Sequence, residues 1–467
     1  MQRLDSIIST LLFGLVSVIV LLAPWLFGAW ETWWFWPFAT CLFAAGACYS
    51  LRLMLSSVLG TRRLNFSTLT YSMIVLWLPF LVYALIRAIQ ADVRMDAERS
   101  FLLQSSPVLL GLMVATGLSE ARQHLLQALV MVNFACLGVY GIVNHFLTGN
   151  STVLWVPGFP QYQITYFRAT GTYFCPDHFS GLMEIALSMG LALVLVRSST
   201  TRQRIAAGVL SAIAILAIVL TRSRGGGIVA GIIFIAALWL CPLSWPRATR
   251  RLARWIGTAC LVTGLLIMSL FGGRYVERFK DYPWSALEKS ERIQMSSAAL
   301  RAWKTAPWFG VGPGMHQNLW PHFSASPDGD RAQHRWPTFP NNNYHSFEAH
   351  DDWAQLLEEY GLIGFVLFLL ATGNAASHLI WRWKRWASAS SLFPVDHAIP
   401  DWVLPGALLS ALAMAIHSIG DFNLQMPATT WLMGALIGLA VGIARHTPPR
   451  RDPYHGRSEE RTAPVDN

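Results

Sequence analysis

The sequence predicts an all-α protein that crosses a membrane many times. Of its 467 residues, 54% are hydrophobic and only 13% are charged, and the mean hydropathy is +0.40. Apolar runs of about 17 to 25 residues recur along the chain, and a helix of that length spans a hydrocarbon core about 30 Å thick. Twelve such runs are predicted to be transmembrane helices.

The predicted spans cover most of the chain. They are residues 7–28, 35–58, 69–90, 102–118, 124–147, 178–196, 205–221, 225–243, 255–272, 361–381, 402–420 and 428–444. The first follows a short polar start, is longer than the apolar core of a signal peptide and lacks a small-x-small cleavage site. It is therefore predicted to be retained as the first helix.

The basic residues are arranged by membrane topology. With a cytoplasmic N-terminus, most loop arginines and lysines fall on one side, as the positive-inside rule requires. They are Arg52, Arg62, Arg63, Arg122, Arg197, Arg202, Arg204, Arg247, Arg250, Arg251, Arg254, Arg382, Lys384, Arg385 and those from Arg445 onward. The opposite short loops, 29–34 and 421–428, contain no Lys or Arg. Both termini are therefore predicted to be cytoplasmic, and the net charge of +9 does not indicate nucleic-acid binding.

Residues 1–445 are predicted to form a single transmembrane domain, because no internal repeat or low-complexity linker interrupts them. The polar tail, residues 446–467, is predicted to be a disordered cytoplasmic segment. Five of the six cysteines lie within predicted spans and only Cys175 lies outside, so no disulfide framework is predicted.

Two predicted external segments, 148–177 and 273–360, are longer than the other loops. The larger lies between the ninth and tenth spans. Within it, apolar residues at helical spacing over 291–304 predict a helix on the membrane surface, ended by Pro307 and the glycine-rich run that follows. A second, amphipathic helix is predicted to begin near His350. Long loops of this kind usually carry function.

Arginines at the predicted external face are candidates for binding an anionic group. Arg224 opens the eighth span and precedes three glycines, which each weaken a helix by about 1 kcal/mol relative to alanine and allow a ligand or another backbone to come close. Arg292 lies in the predicted surface helix and Arg168 in the shorter external segment. A guanidinium matches the geometry of a phosphate. The alternatives are an interfacial anchor for Arg224 and solvated loop charges for the other two.

The candidate general base is His350. Histidine ionises near neutral pH and can take a proton from a hydroxyl group, although a lone histidine at a helix start is more often a cap or a packing residue. Together with His345, Glu348, Asp351 and Asp352 it also offers metal ligands, but no recognised ligand spacing supports a metal site.

Two further ionisable residues, His417 and Asp421, lie where the eleventh span leaves the membrane. An ionisable residue at such a position is a functional candidate, because charge is costly in lipid and is retained for a reason. A purely structural ion pair is the alternative.

The pair His350-Asp351 is followed, after nine residues, by Gly361-Leu-Ile-Gly364. This string resembles the signature of O-antigen ligases, in which His and a small polar residue precede nine residues and Gly-x-x-Gly. Other segments also resemble the superfamily of O-antigen ligases and polymerases, so that the resemblance covers about residues 165–445. These segments are 168–178, Arg224 with its glycines, Arg292 to Gly314, and 417–427.

Position 351 departs from the signature, which more commonly has Asn, Ser or Gln there. A negative charge beside an imidazole favours the imidazolium. Asp351 is therefore expected to raise the pKa of His350.

The resemblance implies an all-helical, membrane-embedded glycosyltransferase of the C type (GT-C) with its active site at the periplasmic face of the bacterial inner membrane. The implied donor is a glycan on undecaprenyl diphosphate, and the implied reaction is inverting, metal-independent and free of cofactors. By this resemblance His350 takes the proton from an acceptor sugar hydroxyl, while Arg224, Arg292 and Arg168 bind the diphosphate. Residues in supporting roles are Asp351, Asp352, His417 and Asp421.

The leading expectation is O-antigen ligation to lipid A core. The alternatives with the same donor are an O-antigen or exopolysaccharide polymerase and a protein O-glycosylation ligase. A more remote alternative is a transporter or flippase of lipid-linked glycans, which predicts ionisable residues near the membrane midplane and two pseudo-symmetric halves. The charged candidates lie instead at one predicted face, and no glycine-rich nucleotide loop follows a strand.

Overall fold

A computed structural model describes residues 2–58, 68–149, 168–271, 273, 291–324, 346–392 and 402–445. Within these ranges the chain forms helices and short 3₁₀ turns and no strand, which confirms the predicted all-α class. The predicted tail 446–467, His345 and parts of the external segments 148–177 and 273–360 lie outside the described residues.

The predicted spans each coincide with a helix. In the described ranges the helices are α1 (Gln2–Leu22), α2 (Thr32–Val58), α3 (Thr68–Gln90), α4 (Arg94–Leu112), α5 (Glu120–Thr148), α6 (Pro176–Leu195), α7 (Thr201–Thr221), α8 (Arg224–Leu240), α9 (Arg247–Phe271), α10 (Glu291–Trp303), α11 (His316–Phe323), α12 (Asp352–Leu392), α13 (Val403–His417) and α14 (Pro427–Arg445). The first helix ends earlier than predicted, at Leu22, and is followed by two 3₁₀ turns, Ala23–Trp25 and Phe27–Ala29.

Eight helices in the described part of the chain are long and apolar enough to cross a membrane. Shorter apolar helices lie at Ile74–Gln90, Val403–His417 and Pro427–Gly442. The chain is therefore a polytopic integral membrane protein. The count of twelve spans, the position of the large loop and the orientation of the termini stay predictions.

Helix α6 lies at the centre of the bundle. Every residue from Pro176 to Leu193 is buried, and the helix packs against α7, α8 and α13. A helix buried on all sides is expected to be apolar all round. Asp177, His178 and Glu184 of α6 are nevertheless buried, so that the protein interior has to supply partners for them.

The helix predicted over 291–304 and the amphipathic helix predicted from near His350 are present as α10 and as the first two turns of α12. The position of α10 at the membrane surface stays a prediction. Gly361, with φ +65°, breaks α12 between this amphipathic part and the apolar part that follows. The segment that follows α10 packs against this break. Leu362 N–H donates to the Pro307 carbonyl at 2.9 Å, and Ile363 N–H donates to the Trp308 carbonyl at 3.1 Å. A Cβ on Gly361 would overlap the backbone of Trp308 and Gly310, so glycine is required there.

Candidate functional site

The candidate site lies where the N-terminal ends of α6 and α8, helix α10, the segment just before α12 and the turn after α13 meet. We call its charged side chains the Asp421 cluster. The cluster consists of Arg168, Asp177, His178, Glu184, Arg292, His350, His417 and Asp421.

Asp177 joins two arginines. Its carboxylate accepts from Arg168 Nη2 at 2.7 Å on Oδ1 and from Arg292 Nη2 at 2.7 Å on Oδ2. Arg168 also donates from Nε to the Thr221 carbonyl at 2.6 Å, and Arg292 donates from Nη1 to the Gly420 carbonyl at 2.5 Å. The Arg168 side chain is buried, whereas that of Arg292 is 40% exposed, so Arg292 is the one that a ligand can reach.

Asp421 is the centre of the cluster. Its Oδ1 lies 3.5 Å from His178 Nε2 and 3.4 Å from His350 Nδ1. Its Oδ2 lies 3.8 Å from His417 Nε2 and 3.9 Å from Arg292 Nη2. Burial by itself would raise the pKa of Asp421, but Arg292 and His178 outweigh burial and hold that pKa well below its usual range. Asp421 is therefore ionised at neutral pH.

The orientation of the His350 imidazole is set by the backbone conformation of His350 and by contact with the Phe422 ring. The residue has φ +53°, a left-handed conformation that is rare for a side chain of this size. The Phe422 ring lies between the imidazoles of His350 and His178, with centroid distances of 4.5 and 4.3 Å. Nδ1 of His350 is buried beside Asp421, whereas 23% of the side chain is exposed. The exposed part of the ring is available to a substrate.

Burial lowers the pKa of His350, and the neighbouring Arg292 and His178 lower it further. Asp421 opposes this effect without reversing it. The imidazole is therefore neutral at neutral pH, as a general base has to be.

The expectation that Asp351 raises the pKa of His350 is wrong. Asp351 Oδ1 accepts from the backbone N–H groups of Trp353 at 3.1 Å and Ala354 at 3.0 Å, so its carboxylate caps the N-terminus of α12. The carboxylate that faces His350 belongs to Asp421. A residue adjacent in sequence need not be adjacent to the ring, since the side chains of 350 and 351 leave the backbone in different directions.

Asp352 connects the two segments that carry His350 and Asp421. Its backbone N–H donates to the Ser418 carbonyl at 2.9 Å, and its buried carboxylate accepts from Leu424 N–H at 2.8 Å. Asp352 therefore ties the turn after α13 to the start of α12, and its supporting role in the reaction stays a prediction.

His417 is paired with Glu184 of α6, as Nδ1 lies 2.8 Å from Glu184 Oε1. Both side chains are buried, and Ser180 Oγ donates to the same carboxylate at 3.1 Å. His417 Nε2 faces Asp421, so the imidazole links two carboxylates within the bundle.

The start of α8 adjoins the cluster. Ser223 is the N-cap of this helix and also hydrogen-bonds Asp177. A Cβ on Gly225 would lie 3.5 Å from His417 Nε2, and one on Gly226 would overlap Ser180. Gly226 thus allows α6 to approach closely. The contact of the half-buried Arg224 side chain with a ligand stays a prediction.

Sequence reasoning missed Asp177, His178 and Glu184 as members of the site. The signal was present, because ionisable residues within an otherwise apolar span are functional candidates. Apart from Arg168, their partners lie on α10, on α13 and in the turn after α13, far away in the sequence, and the packing of α6 brings them together.

A metal is conceivable at one point of the cluster, since ligand atoms of Cys175, His178 and Asp421 lie within 4.8 Å of one another. Burial raises the pKa of the Cys175 thiol to about 12, and the charges of Asp177 and Asp421 add to this effect. Arg292 already faces Asp421. These neighbours disfavour a thiolate and a dication, although the metal-independent reaction itself stays a prediction.

Fold and site together define a polytopic, all-helical membrane protein with a buried arrangement of Arg, Asp and His at one end of its bundle. Residues 209–369 match the family model described as O-Antigen ligase, and this match includes Arg224, Arg292 and His350. This match covers about a third of the chain and supports the O-antigen ligase superfamily that the sequence resemblance indicated. The match also supports glycosyltransferase activity of the ligase or polymerase type in general. Comparison with curated proteins finds no match.

Proposed function

We propose that the protein is a metal-independent, inverting glycosyltransferase that moves a glycan from undecaprenyl diphosphate to an acceptor sugar hydroxyl at the periplasmic face, with lipid A core as the acceptor. The observation that carries this proposal is the pairing of His350 with Asp421 beside the partly exposed side chain of Arg292. Such a site combines a neutral base with a cation next to it, which is what attack on a diphosphate-linked sugar needs.

His350 acts as the base. As the acceptor oxygen forms its bond to the anomeric carbon, its proton passes to the exposed part of the imidazole, and the bond from that carbon to the diphosphate oxygen breaks. Attack from the face opposite the leaving group inverts the anomeric centre. Asp421 stabilises the imidazolium that forms and orients the ring, in the way that a buried Asp serves the His of a hydrolase triad.

Arg292 and Arg224 hold the leaving diphosphate. Asp177 and Asp421 face the guanidinium groups of Arg168 and Arg292, and Arg224 at the start of α8 adds a further guanidinium next to them. Guanidinium groups at the departing oxygens stabilise the charge that develops there. The buried Arg168 does not need to contact the donor, because it positions Asp177 and, through it, Arg292.

The test is transfer by purified protein in lipid nanodiscs with an undecaprenyl-diphosphate-linked glycan. One tube contains core lipid A, a second contains only more donor, and both are repeated with the His350→Ala variant. One shifted core band that depends on His350 supports the ligase. A product ladder in the second tube identifies a polymerase instead, and transfer that survives His350→Ala removes the proposed base.

A transport function is tested separately. Movement of a fluorescent lipid-linked glycan across proteoliposomes, together with no transfer in either tube, would replace the enzymatic proposal by a flippase.

A further inference from the structure

Glu184 and His417 form a buried pair next to the contact between Asp421 and His350. His417 Nδ1 lies 2.8 Å from Glu184 Oε1 and 3.0 Å from Oε2, and Ser180 Oγ donates to the same carboxylate at 3.1 Å. Both members of the pair are buried. Neither side chain can reach a sugar or a diphosphate, so an effect of this pair on transfer has to pass through a neighbouring residue.

The position of Glu184 is costly for a side chain that only fills space. Glu184 follows Pro176, the first residue of α6, by eight residues, which corresponds to about 12 Å along the helix. All of α6 from Pro176 to Leu193 is buried, and an acid in such a place needs partners inside the protein. A buried acid–base pair often stabilises a protein no better than two apolar side chains of similar size. Stability alone is therefore a weak reason for this pair.

On its other side the His417 ring faces Asp421. His417 Nε2 and Asp421 Oδ2 lie 3.8 Å apart, and neither atom has a hydrogen-bond partner within the described residues. A buried donor and a buried acceptor without partners are uncommon in proteins. A shortening of this contact to about 3.0 Å would make it a hydrogen bond. The two atoms are therefore placed to become each other's partner.

The hydrogen atoms of the pair follow from its neighbours. The short contact between Glu184 and His417 Nδ1 contains one proton, whether that proton is bonded to the carboxyl oxygen or to the ring. Nε2 faces an ionised carboxylate, because Arg292 and His178 keep Asp421 ionised. A carboxylate only accepts, and a bare Nε2 would set one lone pair against another. Nε2 therefore carries a hydrogen, and Glu184 fixes both the tautomer and the orientation of the ring.

The two oxygens of Asp421 face different partners. Oδ1 lies 3.4 Å from His350 Nδ1 and 3.5 Å from His178 Nε2. Oδ2 faces His417 Nε2 and, at 3.9 Å, Arg292 Nη2. The four side chains come from the segment before α12, from α6, from α13 and from α10. A donor at Oδ2 restricts rotation of the carboxylate and so keeps Oδ1 next to His350.

We propose that Glu184 and His417 are positioning residues for the transfer reaction. Glu184 holds the His417 ring, the ring donates from Nε2 to Asp421 Oδ2, and Asp421 is thereby held with Oδ1 beside the base. The proposal rests on the transferase function and deepens it. Because neither residue of the pair touches a substrate, its loss should change kcat and leave the KM values for donor and acceptor unchanged.

The deciding variant replaces both members of the pair, Glu184→Met together with His417→Leu. A buried pair can be exchanged for two apolar side chains of similar size without loss of stability, whereas removing one partner leaves the other unpaired. Transfer from an undecaprenyl-diphosphate-linked glycan to core lipid A is measured with the full-length protein in nanodiscs. We expect kcat to fall about 10-fold to 100-fold, because a small displacement of catalytic groups costs that much. Both KM values should stay within about 2-fold of the wild-type values.

Glu184→Gln is the conservative variant. Its amide can donate to His417 Nδ1, which leaves the ring hydrogen on Nε2. Its kcat should therefore stay within about 3-fold of the wild-type value. A loss as large as that of the double variant would overturn the positioning role, because a hydrogen on Nε2 would then be insufficient.

The matched control is Ser410→Ala. Ser410 is a buried polar residue of α13, and its hydroxyl donates to the Gly406 carbonyl within the same helix. Its kcat should equal that of the wild type. A fall similar to that of the double variant would show that any buried change in α13 is enough, and the positioning role would be lost.

The pH profile gives a readout that packing alone would not change. His350 is faced by Asp421, Arg292 and His178, and of these Asp421 is the one that raises its pKa. A donor at Oδ2 weakens the effect of Asp421, so removal of His417 should raise the pKa of His350. Since His350 acts in its neutral form, the rising limb of the double variant should move to higher pH. An unmoved limb would mean that His417 does not act on Asp421.

The results distinguish this proposal from the transferase function. If the wild type and the double variant transfer with equal rate constants, the pair is structural and the transferase stands. If the wild type transfers to no acceptor, both proposals are wrong. Single-turnover rate constants at saturating protein report on folded protein, because a misfolded fraction lowers the amplitude and not the rate constant. Melting temperatures within about 3 °C of the wild type provide a second check on folding.

Discussion

The Asp421 cluster pairs its acids with guanidinium groups, whereas Glu348 and Glu359 are paired with an amide and a hydroxyl. These two glutamates line a small polar cavity together with Asp96, Arg99 and Gln425, which we call the acidic cavity. In the cluster, Asp177 and Asp421 each face a guanidinium, and the histidines lie between them. In the cavity, burial raises the pKa of Glu348, and it raises the pKa of Glu359 to about 8. Both places share the segments 346–352 and 418–426, so a short stretch of chain separates two different environments for buried acids.

The difference teaches how its neighbours set the charge of a buried acid. Arg292 and His178 hold the pKa of Asp421 well below its usual range, whereas burial raises the pKa of Glu359 to about 8. His350 lies at the boundary, close to Asp421 on one side and two residues from Glu348 on the other. Substitutions on the two sides should therefore change different kinetic constants.

The largest expected effect is that of His350→Ala. It removes the group common to both regions, so kcat should fall by about 10²–10⁴-fold, the usual contribution of a general base, while the KM values for donor and acceptor change little. The measurement is single-turnover transfer in nanodiscs at matched protein concentration. Turnover of His350→Ala at the wild-type rate would show that His350 is not the base.

Asp421→Asn should lower kcat by about 10²-fold or more, because the imidazole loses the carboxylate that orients it and stabilises its cation. The pH profile gives a second readout. Since the pKa of His350 lies below its usual 6.5, the wild-type rate should rise with pH below 6.5 and be level above it. The charge of Asp421 raises that pKa, so Asn should move the rising limb to lower pH.

The matched control for this prediction is Asp351→Asn. Asn caps a helix as well as Asp does, and Asp351 faces the amides of α12 rather than the His350 ring. Its pH profile should coincide with that of the wild type. A shift equal to that of Asp421→Asn would restore the original expectation for Asp351.

On the donor side, Arg292→Lys and Arg224→Lys should each raise the donor KM about 10-fold or more and leave the acceptor KM unchanged. A hydrogen bond to a charged group contributes about 1.5–3 kcal/mol, and an ammonium cannot replace a planar fork. Steady-state kinetics at saturating acceptor measure this effect. An unchanged donor KM in both variants would contradict the diphosphate site.

The smallest expected effect is on the free energy of unfolding, and it concerns the glycine that breaks α12. Gly361→Ala should destabilise the protein by about 1–3 kcal/mol, because φ +65° is unfavourable for alanine and its Cβ would overlap Trp308 and Gly310. Gly373→Ala, in the same helix, meets nothing within 4 Å and should be neutral or slightly stabilising. Thermal unfolding in detergent compares the two. Equal melting temperatures would show that the break in α12 is not needed.

Much of this architecture could be predicted from the sequence. Hydropathy located the helices, because the length of a span depends on membrane thickness alone. The amphipathic stripe before Gly361 and the run after Pro307 predicted the surface elements that dock on each other. Among site residues, His350, Arg292 and Asp421 were named beforehand and lie together.

The site residues that the sequence did not predict come together through packing between segments that are distant in the sequence. Asp177 and His178 join the cluster only because α6 is central, and a linear sequence does not show which span that is. Asp351 was misjudged because neighbours in sequence were taken for neighbours in space. The acidic cavity combines side chains from α4, α11, α12 and the turn after α13, and no motif connects them.

The left-handed backbone of His350 has a practical consequence for capturing the complex. Asn adopts φ near +53° far more readily than Ala does, so His350→Asn should delete the imidazole while preserving the course of the chain into α12. Such an inert but correctly shaped protein could keep donor and acceptor bound together, unreacted, long enough for cryo-electron microscopy to image both.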